Sequence, residues 1–290
     1  MRFSRSQIRK SWLLLALGAG VGAACVFFGW QHYSPVQVSI DWSFKVFLDD
    51  IPKVSALVVD RQGALYVSQE FNNQRGVVFQ LQPDGTRQNI MSKLSKPDGL
   101  VLFQDGVVGS QEAVKRPVLW WREGRTEILF EGDSIEGMAS DGRSLFAAVD
   151  LKRGGHLLKY DPEKREVTIL RGDLEEPEGI AVCPNGSLFY TEKKKGWIKR
   201  FRPGGNDEIA ARGLHDPSFL MCNSEGLWIT EDLTHRARLL LLDGAGRMHT
   251  ILTHLRSPQT IIAITPTRFF LAEQGRERIL ELNRHPNAKQ

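Results

Sequence analysis

The sequence predicts an all-β fold, a six-bladed β-propeller closed by an N-terminal strand and preceded by one transmembrane helix. Three observations carry this. A pattern recurs six times at about forty residues, hairpin signals punctuate each repeat, and one uncharged apolar stretch lies near the N-terminus.

The apolar stretch comes first in the chain. Trp12 to Trp30 is nineteen residues without a charge, close to the roughly 20 a helix needs to cross the hydrocarbon core. Arg2, Arg5, Arg9 and Lys10 precede it, a bias that keeps the N-terminus cytoplasmic and sends the rest across. The alternatives are a cleaved signal peptide ending near Gly22-Ala23-Ala24, or a lipoprotein site at Cys25. All three export the rest of the chain. The expected domains are therefore 1–33, a basic tip and anchor, and 34–290, the propeller, on the periplasmic or extracellular side.

Charge excludes one class of partner. The chain has 38 Lys/Arg against 34 Asp/Glu, and the whole excess is the four basic residues of the acid-free segment 1–33. The remainder is balanced, so no basic field points to nucleic acid. Of three cysteines, Cys25 lies in the apolar stretch. Cys183 and Cys222 fall on inner strands of neighbouring blades and are expected as buried thiols rather than a disulfide.

Beyond the apolar stretch, Val38–Leu48 reads as a strand outside the repeats. The six repeats have apolar landmarks at Leu57, Leu100, Met138, Ile180, Leu220 and Ile261, spaced 43, 38, 42, 40 and 41. Each reads as four short strands, with Asp105-Gly106, Glu123-Gly124, Asn185-Gly186 and Gly204-Gly205 as hairpin turns. The sixth repeat supplies only three strands. Val38–Leu48 is expected to be its fourth, which closes the ring and removes a free edge.

Each inner strand opens on a polar residue: Ser55, Asp98, Glu136, Glu178, Ser218 and Gln259. Twelve residues after the landmark, thirteen in the first repeat, an acid closes the second strand: Glu70, Glu112, Asp150, Glu192, Asp232 and Glu273. Strand one leaves one face and strand two returns to it, so nine carboxylates are expected around one axial funnel. Like charges that close must be offset. A hard divalent cation, Ca²⁺ first, would do so with oxygen ligands, and Asp98, Glu136 and Glu178 would form a three-carboxylate cup. Basic residues after the closing acids, among them Lys115, Lys152, Lys193, Arg238, Arg276 and Arg278, could instead make a purely structural ion-pair ring.

Six blades with Lys96-Pro97-Asp98-Gly99-Leu100 and Glu176-Pro177-Glu178-Gly179-Ile180 opening strands resemble the gluconolactonase/regucalcin-like group, over roughly residues 38–284. NHL-repeat propellers are similar. The resemblance implies an axial Ca²⁺ or similar ion that polarises a lactone or ester carbonyl, with an Asp helping to activate water. By position Asp98 matches the Pro-Asp-Gly motif as ligand and base. Glu178 stands where the related motif has Asn, and Glu136 holds the same place one blade earlier.

His235 in Asp232-Leu233-Thr234-His235 and His215 before the fifth opener would reach the acidic face, where a His general base would sit. Trp120, Trp121, Trp197 and Trp228 read as blade packing, and Lys193-Lys194-Lys195 as a solvated loop. The resulting expectation is a monomeric, metal-dependent hydrolase of a small lactone or ester. Asp98 and His235 would be catalytic, and Asp98, Glu136 and Glu178 would be metal ligands. The alternative is a non-catalytic scaffold for a periplasmic protein or cell-envelope ligand. A quinone-dependent sugar dehydrogenase shares the fold, but such chains carry longer loops.

Overall fold

Five four-strand antiparallel meanders and a sixth of three strands succeed one another from Val54 to Arg284, and strands before Val54 add to two of the six sheets. A computed structural model describes residues 5–285. It has two compact units, Met1–Val36 and Gln37–Gln290.

The first unit is one helix, Arg5–Tyr33. Its stretch Lys10–Trp30 is long and apolar enough to cross a membrane, and none of it is buried in protein. A core helix would hide such a surface; this one leaves Trp12, Leu13, Leu14 and Phe28 outward. Arg2 lies outside the described residues, as do the side chains of Arg5 and Arg9.

The second unit is the six-bladed propeller. Blade 1 is Val54–Val59, Leu65–Gln69, Gly76–Leu81 and Arg87–Leu94. Blades 2 to 5 repeat this meander from inner strands Leu100–Phe103, Ile135–Ser140, Ile180–Val182 and Pro217–Asn223. Blade 6 has Pro258–Thr265, Arg268–Glu273 and Arg278–Arg284. Its fourth strand is Trp42–Leu48, paired antiparallel from Trp42↔Arg284 to Leu48↔Ile279. The N-terminal strand thus closes the ring, as the three-strand sixth repeat required. The predicted strand's first residue, Val38, belongs instead to a separate short strand, Gln37–Val38, that pairs with Thr253 and Leu252 on the outer edge of blade 5.

Period-2 strands bury their apolar residues between adjacent blades. Ile51, Val54, Leu57, Phe79, Phe270 and Ile279 fill the seam between blades 1 and 6. Trp42 meets Trp228 and Phe269 at 5.5 Å each, fixing the closing strand to blades 5 and 6. Burying each side chain of this size contributes roughly 1.5–3 kcal/mol. Trp120 and Trp228 are in the core, as read from the sequence.

Two expectations are corrected. The left-handed residues of the first hairpin in blade 2 are Gln104 and Asp105, not Gly106. Gly106 is needed for space, because a Cβ there would overlap the Trp120 indole nitrogen. More consequential, Cys183 and Cys222 form a disulfide. Adjacent inner strands bring their Cα atoms to 4.9 Å, within the range a disulfide spans. The bridge ties blade 4 to blade 5, while Cys25 is free.

Candidate functional site

Each blade is entered through one residue in the left-handed conformation: Lys53, Lys96, Ser134, Glu176, Asp216 and Ser257. Two residues later comes the opener. The carbonyls of these six residues accept the backbone N–H of Glu70, Glu112, Asp150, Lys193, Asp232 and Gln274 at 2.7–3.0 Å. This sixfold bond fixes the true closing positions. In blades 4 and 6 the expected acids, Glu192 and Glu273, lie one residue early. There Ile180 pairs with Tyr190, ten residues on, and Ile261 with Leu271, whereas Leu100 pairs with Gly109. The longer hairpin shifts the closing place to Lys193 and Gln274.

The displaced acids have a structural use. Glu192 and Glu273 are buried and pair with Lys199 at 2.9 Å and Arg278 at 2.7 Å, as Glu231, the residue before Asp232, does with Arg238 at 2.5 Å. Arg276 also pairs with Glu273. Of the acids expected to close strands, Glu192 and Glu273 are thus held in ion pairs within their own blades rather than in a ring around the axis.

Around the axis, among the described residues, stand seven carboxylates, those of Glu70, Asp98, Glu112, Glu136, Asp150, Glu178 and Asp232. Asp98, Glu136 and Glu178 are buried. The glycine after each explains how: a Cβ on Gly99, Gly137 or Gly179 would overlap the carbonyl oxygen of the next blade's opener, Glu136, Glu178 or Ser218. Only glycine lets the inner strands approach so closely.

Two lysines enter this cluster. Lys96 pairs with Glu112 and, at 3.3 Å, with Glu70. Lys193 lies 2.5 Å from Glu178 Oε2 and 3.3 Å from Asp232 Oδ2. The Gln274 amide donates to Glu70 at 2.8 Å, that of Gln259 to Asp232 at 3.3 Å, and the Ser55 hydroxyl to Asp98. Asp98 and Glu136 titrate well above the usual carboxylate range, because burial disfavours their charge and neighbouring acids add to it. Burial likewise pushes Glu178 up to about 7, against the opposing pull of Lys193. Glu136 and Asp150 are neighbours, and Glu136 Oε2 and Asp150 Oδ1 are both buried without a hydrogen-bond donor.

The structure thus brings Asp98, Glu136 and Glu178 into one electrostatic cluster. It also adds two residues that the opener pattern did not single out: oxygens of Glu70, Asp98 and Glu112 lie within 4.8 Å of one another. His235 is elsewhere on this face. Burial, then Arg256 and Arg276, lower its pKa and keep the imidazole neutral, and those arginines rather than the axial acids are its charged neighbours. His215 is exposed, and its backbone N–H donates to Glu231. A cavity of about 550 Å³ at the opposite ends of blades 4 and 5, lined by the disulfide, Arg200 and Asp243, contains none of the expected site residues.

The donor set fits a hard divalent cation. The ligands on offer are all oxygens, the acids outnumber the lysines, and two buried carboxylate oxygens of neighbouring acids, Glu136 Oε2 and Asp150 Oδ1, have no hydrogen-bond donor.

No family model and no curated protein matches the chain. Solved structures do. A gluconolactonase from Xanthomonas campestris superposes with a TM-score of 0.71 at 13% identity, covering 86% of this chain and 95% of that one. The calcium-binding protein regucalcin from Agrobacterium tumefaciens superposes with a TM-score of 0.67 at 14% identity, covering 84% and 94%. Virginiamycin B lyase from Staphylococcus aureus gives 0.59 at 14% identity, covering 80% of each. One architecture thus carries different chemistries. The chain shares its six-bladed propeller fold with gluconolactonase and regucalcin.

Proposed function

We propose that this protein is a membrane-anchored, exported hydrolase of a small lactone or ester that works with a bound divalent cation, Ca²⁺ first. One observation carries the proposal: a buried axial cluster in which carboxylates outnumber lysines and the neighbouring Glu136 and Asp150 each keep a buried oxygen with no hydrogen-bond donor. Asp98 is central to the ligand set, with Glu70 and Glu112 on one side and Glu136 and Glu178 on the other. Bound there, the ion would polarise a carbonyl and lower the pKa of a water. The protein's own part is to hold these oxygens in place through the glycine-dependent strand approach, and to accept a proton. Asp98 is the first candidate acceptor. His235 is the second, since its neutral imidazole is the form a base requires. Export is supported by the Lys10–Trp30 helix and by the Cys183–Cys222 bridge, since disulfides persist in oxidising compartments.

The test is a screen of aliphatic and sugar lactones and aryl esters, run in Ca²⁺ and in chelator. Asp98→Ala should abolish any Ca²⁺-dependent rate, whereas His235→Gln should remove the acidic limb of the pH profile, where the imidazole would protonate, only if His235 is the acceptor. An Asp98→Ala enzyme with unchanged rate and metal content would refute the proposal. The non-catalytic scaffold has its own support, because Lys96 and Lys193 each neutralise part of the ring. It predicts a reproducible membrane partner, lost when Lys193–Lys195 and Arg236–Arg238 are neutralised.

A further inference from the structure

The closing ring changes character at blade 4. Blades 1, 2, 3 and 5 place Glu70, Glu112, Asp150 and Asp232 there and blade 6 places Gln274, but blade 4 places a cation, Lys193. Its position is built rather than incidental. Lys193 opens the 3₁₀ turn Lys193–Lys195, which Gly196 ends in the left-handed conformation at φ 64°. Its side chain is only 21% exposed. By contrast Lys194, next in the same turn, is 67% exposed and lies 3.8 Å from Glu176.

The surroundings of the Lys193 ammonium are those of a metal ion. Glu178 Oε2 at 2.5 Å and Asp232 Oδ2 at 3.3 Å come from blades 4 and 5, and Glu136 acts on it from blade 3. Asp232 is steadied by the Gln259 amide from blade 6. Burial alone would make this lysine easier to deprotonate, but Glu178, Asp232 and Glu136 outweigh it and hold it charged. Oxygens from several elements converging on one charge is the donor pattern a hard divalent cation takes. A second cation at the same oxygens would be repelled.

We infer that Lys193 is a tethered cation that fills an ion position formed by Glu178 and Asp232, with Glu136 beside it. This goes beyond the proposed hydrolase and shares with it only the premise that the funnel carboxylates can ligate cations. It also gives Glu178 a different principal partner from the other openers.

The experiment titrates Ca²⁺ alone into full-length protein in detergent, counting ions per chain by equilibrium dialysis and tracking the melting temperature. Lys193→Met and Lys193→Gln remove the charge; Gln keeps hydrogen-bonding capacity in case Met does not fold without Ca²⁺. Both should bind one Ca²⁺ more per chain than the wild type and melt higher as Ca²⁺ is added. Lys193→Arg and Lys194→Met should keep the wild-type count. If neither neutral variant gains an ion or a Ca²⁺-dependent melting shift, Lys193 does not stand in for a metal, whatever the wild type binds. A wild type with no ion beside a Lys193→Gln variant with one would sustain this inference while removing the proposed hydrolase site.

Discussion

Replacing both bridged cysteines, Cys183→Ala with Cys222→Ala, removes a cross-link between sequence positions 39 residues apart on the inner strands of blades 4 and 5. In the chain-entropy account a closed loop of that length restricts the unfolded chain by about 4 kcal/mol. The folded side changes little, because the blades stay packed through Ala181, Ile198, Leu227, Ile229 and Leu240. Alanine also avoids placing a hydroxyl at the mostly buried Cys183 site. For a domain of this size each kcal/mol moves the melting temperature by roughly 2–4 °C, so a fall of about 8–16 °C is expected. The assay is thermal unfolding of full-length protein in detergent by near-UV circular dichroism, with thiols counted in denaturant by maleimide labelling. Wild type should show one free thiol, Cys25, and reductant should bring it to the melting point of the double variant. Three free thiols in protein isolated from an oxidising compartment, or a double variant as stable as wild type, would refute the reasoning.

The same geometry sets further expectations. Trp42→Ala should cost about 3–5 kcal/mol and speed amide exchange in Arg278–Arg284, since Trp42 locks the closing strand against Trp228 and Phe269. Denaturant melts with exchange mass spectrometry check this, and an unchanged blade 6 would mean closure rests elsewhere. Gly179→Ala should cost about 3 kcal/mol or more, because its Cβ would overlap the Ser218 carbonyl. Gly205→Ala, with open space around it, should stay within about 0.5 kcal/mol by the same melts. Asp98, Glu136 and Glu178 all titrate above their ordinary values, Glu178 at about 7, so the folded protein holds protons that the unfolded chain has released. That stabilisation is complete below about pH 4.5, the ordinary glutamate value, and is lost as pH rises through about 7. In chelator the melting temperature should therefore fall from pH 5 to pH 8, and saturating Ca²⁺ should flatten the fall. A rise across that window in chelator would contradict the buried cluster.

Much of the fold was legible because each blade carries the same apolar landmarks, and because three strands at the C-terminal end demand a fourth from elsewhere. Trp42–Leu48 supplied it. The openers Asp98, Glu136 and Glu178 were legible for the same reason, being anchored two residues after a blade entry and succeeded by a glycine. The closing residues were harder. A spacing counted from the landmark includes the hairpin, and an extra residue there in blades 4 and 6 put Glu192 and Glu273 where Lys193 and Gln274 belong. A period-2 strand makes that one-residue error decisive, since it turns the side chain to the other side. It also hid Lys193 in what read as a solvated charge run. The disulfide left a usable signal: Cys183 and Cys222 are one blade repeat apart, so they lie at one level of adjoining inner strands. His235 could be placed on the acidic face from sequence, but its arginine neighbours come from blade 6 and from the loop before it, and only the folded ring brings them together.

The most direct test of the axial site is the metal content of full-length protein purified in detergent, by elemental analysis, with melting points in excess Ca²⁺ and in chelator. Close to one divalent ion per chain, and a melting temperature that falls on chelation, is the predicted result, since a ligand held only by the folded state stabilises it. No bound ion and identical melting points in Ca²⁺ and chelator would contradict it, and would mean that lysines and shared protons balance the axial carboxylates.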